Sequence, residues 1–362
     1  MRRTFNKRVH KVKSRSGFSL IELLVVIFII TLLIAVLVPA VTSARQAGYK
    51  ATSASNLRQL ALALTQHNDA FGAFPFSVRN ESLPANQQPP RFGWAIGILP
   101  YLDRKDLYDR YDFKLGWQTP ENVTVTNKSV EVFINPASPE PTRLDDKPEA
   151  NPWNGIVSVT DYATITHVAK ALFDGGYVDE HGEGALPKNK KSSLADIRDG
   201  LTNTLLLVDS AGRPYHYIKG KRNGNPYDSG TSGGTGTSNQ SSVVRVNGGG
   251  WSRNANDISL EGFTVTRTVN STTNEVSYTA TRTGPNAINV QNGEDVVPLG
   301  VSPNTTYYGS NGTGAPYSFH PGGINAAFAD GSVRFINEKI DIRVLAKLVT
   351  RNGNEVVDEL SY

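Results

Sequence analysis

At 362 residues the chain is long enough for one large or two ordinary domains with a buried core. It contains no cysteine, which excludes disulfides and thiolate metal sites and leaves core burial, ions or assembly to hold it together. The formal charge of +4 is not a nucleic-acid signal, because residues 1–17 carry seven Lys and Arg and no acid while the remainder carries 30 basic against 33 acidic residues, so no cationic groove is expected beyond residue 17.

After that basic segment, Phe18 to Val38 runs twenty-one residues with a single charge, Glu22. As a helix this segment spans about 31 Å, the hydrocarbon thickness of a bilayer. Residues 18–38 are therefore expected to be transmembrane. The positive-inside rule puts residues 1–17 in the cytoplasm and everything beyond Pro39 across the membrane. Pro39 is expected to end or kink the helix at the membrane edge. A carboxylate at a helix centre costs about 2.5–3.5 kcal/mol on insertion scales, less near one end, so Glu22 calls for a partner.

Residues 39–69 read as an amphipathic continuation. Ala44, Ala47, Ala51, Leu57, Leu60, Ala61 and Leu64 recur at helical spacing, and the helix is expected to run to about His67, with Gly72 and Pro75 beyond its end. From residue 70 to 362 short β-like runs alternate with turn clusters: 130–134, 156–166, 202–209, 214–218, 263–269 and 275–283. Their spacing predicts an antiparallel sheet. Residues 93–112 read as a short helix pair with Leu102, Leu107 and Tyr108 inward, and 223–242 as a flexible Gly/Ser/Thr loop. Near the C-terminus, Asp330-Gly331 lies between two apolar runs and predicts a two-residue type I′ hairpin turn. A short helix follows, closed by Asn352-Gly353. The fold class is thus α+β: a long N-terminal helix followed by an antiparallel β-sheet domain.

Chemistry-bearing residues are few. His320 and Asp330 are candidates to face each other across the hairpin, and Asp209 and His216 lie close in sequence. Such pairs are more often structural hydrogen bonds than catalytic ones. No nucleophile elbow, H-E-x-x-H or P-loop occurs, so neither an enzyme nor a cofactor is expected. Asp174, Asp179, Glu180 and Glu183 sit in a Gly-rich loop that offers oxygen ligands for Ca²⁺, without EF-hand spacing. A solvated acidic loop is the alternative.

The stretch "SGFSLIELLVVIFIITLLIAVLVP" resembles the class III signal of type IV prepilins and type II secretion pseudopilins. Such signals have a basic leader ending in Gly, an aromatic first mature residue, Glu at the fifth mature position and a long apolar helix. The resemblance implies a prepilin peptidase that cuts between Gly17 and Phe18 and methylates the new Phe18 amine. It also implies that Glu22 neutralises such an amine, in pilin-like filaments that of a neighbouring subunit. His320 followed by Asp330-Gly331 is similar to the C-terminal H-X9-DG signature of the prepilin-like proteins called DUF1559. "NLRQLALALTQHNDAFGAFP", "GWAIGILPYLDRKDLYDRYD", "DIRDGLTNTLLLVD", "GRPYHYIKGKR" and "HPGGINAAFADGSVRFI" follow that family's order. The resemblance also implies cysteines that fall, by motif alignment, near Ser53, Asn135, Asn286 and Val290, and none is present here.

The expected protein is a single-pass inner-membrane prepilin-like subunit of a bacterium, with its domain in the periplasm or at the cell surface. It would serve a pilus-like or type II secretion-like assembly, partnered by the prepilin peptidase, membrane lipid and pilin-like subunits or copies of itself. The alternative is a membrane-anchored ligand-binding module or hydrolase that uses the pilin helix only for export.

Overall fold

The structure is a computed structural model that describes residues 19–79, 92–117, 119–145, 157–222, 246, 248–253, 256–293, 314–353 and 357. The basic leader with Gly17, the residue Phe18 and the segment 223–242 lie outside the described residues. The chain divides into two compact units, residues 1–47 and 48–362.

In the first unit the only described element is the N-terminal part of α1, a helix that runs from Leu20 to Phe71. Its apolar side chains are bare, with Leu20 80%, Phe28 65% and Val36 68% exposed. Among the described residues it is the one helix long and apolar enough to cross a membrane. Pro39 does not end it, because the helix continues through that position. Proline has no N–H to give the Ala35 carbonyl, and the Thr42 hydroxyl bonds back to the carbonyls of Val38 and Pro39.

In the second unit the α1 residues from Gly48 onward are amphipathic, with Ser53, Leu57, Leu60, Ala61, Ala63 and Leu64 buried. Gly72, at φ +69°, stops the helix two residues beyond the expected boundary, its N–H bonded to the Asn68 carbonyl at 2.7 Å. A left-handed glycine there is the usual C-terminal stop. β1 (Val78–Arg79) pairs antiparallel with β2 (Phe92–Gly93). The expected helix pair is α2 (Trp94–Ile98), a 3₁₀ turn (Leu99–Leu102) and α3 (Lys105–Tyr108). Leu107 is buried, while Leu102 and Tyr108 are half-buried against the core.

α4 (Pro120–Thr126) opens on a proline suited to the first helical turn. The run 130–134, expected as a strand, is instead a 3₁₀ turn at Glu131–Phe133. The buried residues Val130 and Phe133 are three apart, which is helical rather than strand spacing. The Phe133 ring lies 6.0 Å from Trp94 and 5.9 Å from Trp251.

The run 156–166 breaks into pieces. β3 (Leu144–Asp145) pairs with β4 (Val157–Ser158), and β5 (Tyr162–Ala163) and β6 (Ile165–Val168) follow. Beyond α5 (Lys170–Asp174), β7 (Leu205–Asp209) is the central strand, and β8 (Tyr217–Ile218) pairs with β9 (Lys221–Arg222). β10 (Ile258–Leu260) lies parallel to β6, a departure from an all-antiparallel expectation. β11 (Phe263–Val269) and β12 (Val276–Arg282) form an antiparallel ribbon over the expected runs. β13 (Gly323–Phe328) and β14 (Val333–Asn337) complete a four-stranded sheet in the order β14-β13-β7-β5, antiparallel throughout.

Both middle strands of that sheet are buried along their length. One core cluster joins α1 and α2 residues to Leu206, Leu207 and Ala327, and another joins α6 (Ile342–Val349) to Leu205, Val208 and Ile324. A strand covered on both faces reads as a continuous apolar run, which is why "LLLV" does not alternate. The β13–β14 turn is not type I′. Phe328 and Ser332 bond N–H to carbonyl at 2.9 Å, and Gly331 returns its N–H to the Phe328 carbonyl at 3.0 Å. Only Gly331 of the pair takes a positive φ, +82°. That is a three-residue loop ending in a left-handed glycine, whereas type I′ needs positive φ at both central residues.

Candidate functional site

Asp209 closes β7 in the middle of the sheet, opposite Tyr162 of β5. Its side chain is wholly buried. Oδ1 accepts the Ser53 hydroxyl from α1 at 3.0 Å and the Asn135 amide at 3.1 Å, and Oδ2 accepts the backbone N–H of Asn325 at 2.7 Å. The same Asn135 nitrogen lies 3.2 Å from Ser53 Oγ and 3.2 Å from His320 Nε2. Tyr162 donates to Ser53 Oγ at 3.2 Å and receives the Asn56 amide at 3.3 Å. The Asn325 amide reaches the Lys50 carbonyl at 3.2 Å. Lys50, Ser53 and Asn56 recur every three residues, which puts them on adjoining parts of one helix face. One carboxyl group therefore clasps the globular part of α1 to two strands and two loops.

Burial pushes the Asp209 carboxyl up to about 7, against the pull of its bonds from Asn325, Ser53 and Asn135. Burial, seconded by the Lys50 charge, lowers the His320 imidazole to about 4. His320 is thus neutral near pH 7. An amide N–H beside Nε2 makes that nitrogen the acceptor and leaves the ring proton on Nδ1. Ser53 donates to Asp209 and not to an imidazole, and none of these groups is more than 3% exposed. The geometry is that of a buried clasp.

The two shifts act oppositely on stability. Between the ordinary carboxylate value and about 7, folded Asp209 holds a proton that the unfolded chain has released, so stability falls as pH rises, by up to about 1.4 kcal/mol per unit. Between about 4 and the ordinary imidazole value, the unfolded chain binds the proton that folded His320 refuses, so stability rises with pH. The slopes offset each other in the native chain. His320→Gln is expected to give a melting temperature that falls from about pH 4 to about 7, and Asp209→Asn one that rises over the lower part of that range. Parallel pH profiles for both variants and the native chain would contradict the assignment.

Around the clasp lies a second buried polar layer. Arg143 (1% exposed) forms an ion pair with Asp161 (0%). Asp161 also accepts the N–H groups of Asn135 at 3.0 Å and Gly212 at 2.9 Å. Arg213, fully buried, donates to the carbonyls of Ser210 and Gly248 and to Asn256, and burial lowers its guanidinium to about 10. Arg253 meets Asp145 at 2.7 Å.

In the first unit, Ser19 and Glu22 form a reciprocal cap at the start of α1. The Ser19 N–H donates to Glu22 Oε2 at 2.8 Å, and the Glu22 N–H donates to Ser19 Oγ at 3.2 Å. This is a capping box. It gives Glu22 a partner that needs no cleavage. Glu22 was expected from the sequence to matter; the cap was missed, although S-x-x-E before an apolar run was its signal.

The other expected residues separate. His320 lies 4.0 Å from Asp209 and precedes the β13–β14 hairpin instead of facing Asp330 across it. Asp330 is exposed and accepts the Ser332 N–H at 2.8 Å inside the turn. His216 faces Gln291 at 3.2 Å rather than Asp209. The acidic loop is dispersed among cations: Asp174 meets Lys170 at 2.5 Å, Asp179 meets Arg343 at 3.5 Å, and Glu183 meets Arg351 at 2.8 Å and also Lys190. Among the described residues no three His, Asp or Glu side chains gather as a metal ion requires, Glu180 included.

A bare apolar helix opening on Ser19 and Glu22 behind a basic segment defines a prepilin-like protein of the type IV pilin type, and residues 12–38 match the prokaryotic N-terminal methylation motif. Residues 42–343 match the family described as protein of unknown function (DUF1559). That match covers most of the chain and every residue of the clasp, so the chain belongs to the DUF1559 family. No curated protein and no solved structure matches it.

Proposed function

We propose that the chain is a structural subunit of a pilus-like or type II secretion-like assembly or of the cell surface. In this reading it is inserted in the inner membrane with residues 1–17 cytoplasmic, cleaved after Gly17 and N-methylated on Phe18, and it acts without catalysing a reaction. The observation that carries the reading is the coincidence of the methylation motif at residues 12–38 with the exposed apolar part of α1. Such a surface is unstable in water and finds its place in lipid or against other helices. A prepilin peptidase is the processing partner the motif implies. The buried clasp supports a non-catalytic role because its Ser, Asp and His are closed to any substrate.

Mass spectrometry of the protein from its native membrane tests the processing step. The expected mature terminus is methylated Phe18; an intact Met1 or a cut beyond Val38 refutes it. A pair of substitutions then separates the two roles open to Glu22. Glu22→Gln keeps the capping box but removes the charge, whereas Glu22→Ala removes both. If the charge serves assembly with a Phe18 amine, both variants insert normally and neither enters high-mass assemblies. Assembly of the Gln variant at native level would assign Glu22 to the cap alone.

A further inference from the structure

Two of the family stretches, 56–75 and 93–112, meet the loop around Lys191 at a cleft of about 250 Å³ in the second unit. Six aromatic side chains line it: Phe71, Phe74, Phe76, Phe92, Tyr108 and Phe113. Their positions are fixed by one another. Phe113 sits 5.7 Å edge-on to Phe92 and 5.1 Å from Tyr108, and the Phe74 N–H is tied to the Ser192 carbonyl at 2.7 Å. The His67 ring packs 4.6 Å from Phe71, and its Nδ1 is held 2.9 Å from the Ala73 carbonyl. Phe71 is 67% exposed at the rim. Phe74 belongs to the core, Phe76, Phe92, Tyr108 and Phe113 are part-buried, and an aromatic cleft with a few polar groups is the usual form of a small-molecule site.

Charge narrows the occupant. Among the described residues Lys191 is the one formal cation of the lining and no carboxylate lines the cleft, while burial lowers the His67 imidazole. A cationic guest suited to an aromatic cage would meet Lys191 with nothing to offset it. Sugars call for many hydrogen-bonding partners, and among the described residues the side-chain lining offers Lys191, the second ring nitrogen of His67 and the Tyr108 hydroxyl. Ring stacking against Phe and Tyr with a single anion contact at the rim fits one class. We propose that this cleft binds a small aromatic carboxylate, its ring among Phe71, Phe76 and Phe113 and its carboxylate on Lys191. The site lies wholly within the second unit and does not depend on processing at Gly17.

The test uses the full chain in lipid nanodiscs, because detergent tails would compete for an apolar cleft. Phenylacetate, phenylacetamide and acetate are titrated by calorimetry and ligand-observed NMR. Phenylacetate is expected to saturate in the low-millimolar range open to so small a ligand, with acetate silent and phenylacetamide weaker. Lys191 and Phe71 are exposed, so Lys191→Gln and Phe71→Ser should fold normally, which circular dichroism checks. Lys191→Gln should weaken phenylacetate about two- to five-fold, the range of a half-exposed ion pair, and leave phenylacetamide unchanged. Phe71→Ser should weaken both. Absence of saturation, equal binding of acetate, or phenylacetate binding indifferent to both substitutions overturns the proposal.

Discussion

Asp161→Ala is expected to destabilise the second unit by about 4 kcal/mol or more, the loss read as a lower denaturant midpoint from near-UV circular dichroism of the buried Trp94 and Trp251. The reason is what it leaves behind. Arg143, 1% exposed, would keep its charge without a counterion, and breaking one side of a buried pair costs about 3–5 kcal/mol. The N–H groups of Asn135 and Gly212 would also lose the acceptor they now share, at about 1–3 kcal/mol for each buried group left bare. The double variant Arg143→Met, Asp161→Leu should recover a good part of that loss, because two apolar side chains of similar volume leave no stranded charge. A double variant as unstable as Asp161→Ala would mean that the stranded charge is not the main cost, and a mild effect of Asp161→Ala would mean that Arg143 has access to water.

Asp161 was invisible in the sequence, because no period marks a lone buried carboxylate. The apolar helix, the Leu57-Leu60-Leu64 face, the β11–β12 ribbon and the helix after Asp341 all announce themselves by period, because one repeated physical demand writes itself along consecutive residues. Short pairings such as β3 with β4 do not: two residues carry no period, and what holds them comes from elsewhere in the chain, the Trp251 N–H on the Ser158 carbonyl at 2.9 Å and Arg253 on Asp145 at 2.7 Å. The clasp is harder still. Ser53, Asn135, Tyr162, Asp209, His320 and Asn325 come from distant parts of the chain, and each alone looks like an ordinary polar residue. The resemblance touches three of them, since His320 heads its H-X9-DG signature and its cysteines fall near Ser53 and Asn135. The structure puts those two side chains 3.2 Å apart. Asn286 and Val290 each meet Phe263 instead: Asn286 bonds to its backbone, and Val290 packs in the same small cluster as its ring.

Placing cysteine at both Ser53 and Asn135, which touch, makes the other large prediction. In Ser53→Cys, Asn135→Cys the two thiols replace groups already in contact across 82 residues of chain, and a cross-link closing a loop of that length stabilises by about 4 kcal/mol on the chain-entropy account. The comparison that isolates this effect is the same variant oxidised and reduced. The oxidised form should unfold at a higher denaturant concentration by the equivalent of about 4 kcal/mol. The reduced form should fall below the native chain by about 1–3 kcal/mol, since Asp209 loses the Ser53 and Asn135 donors. Failure of the bond to form under mild oxidation would show that the backbone there cannot meet disulfide geometry. Formation with the expected gain would show that this chain holds with a carboxyl-centred hydrogen-bond clasp the joint that a covalent bond can hold. Both titrating groups stay in that variant, and loss of the Ser53 and Asn135 donors moves the Asp209 carboxyl further up, so its stability should fall with rising pH over a wider window than in the native chain.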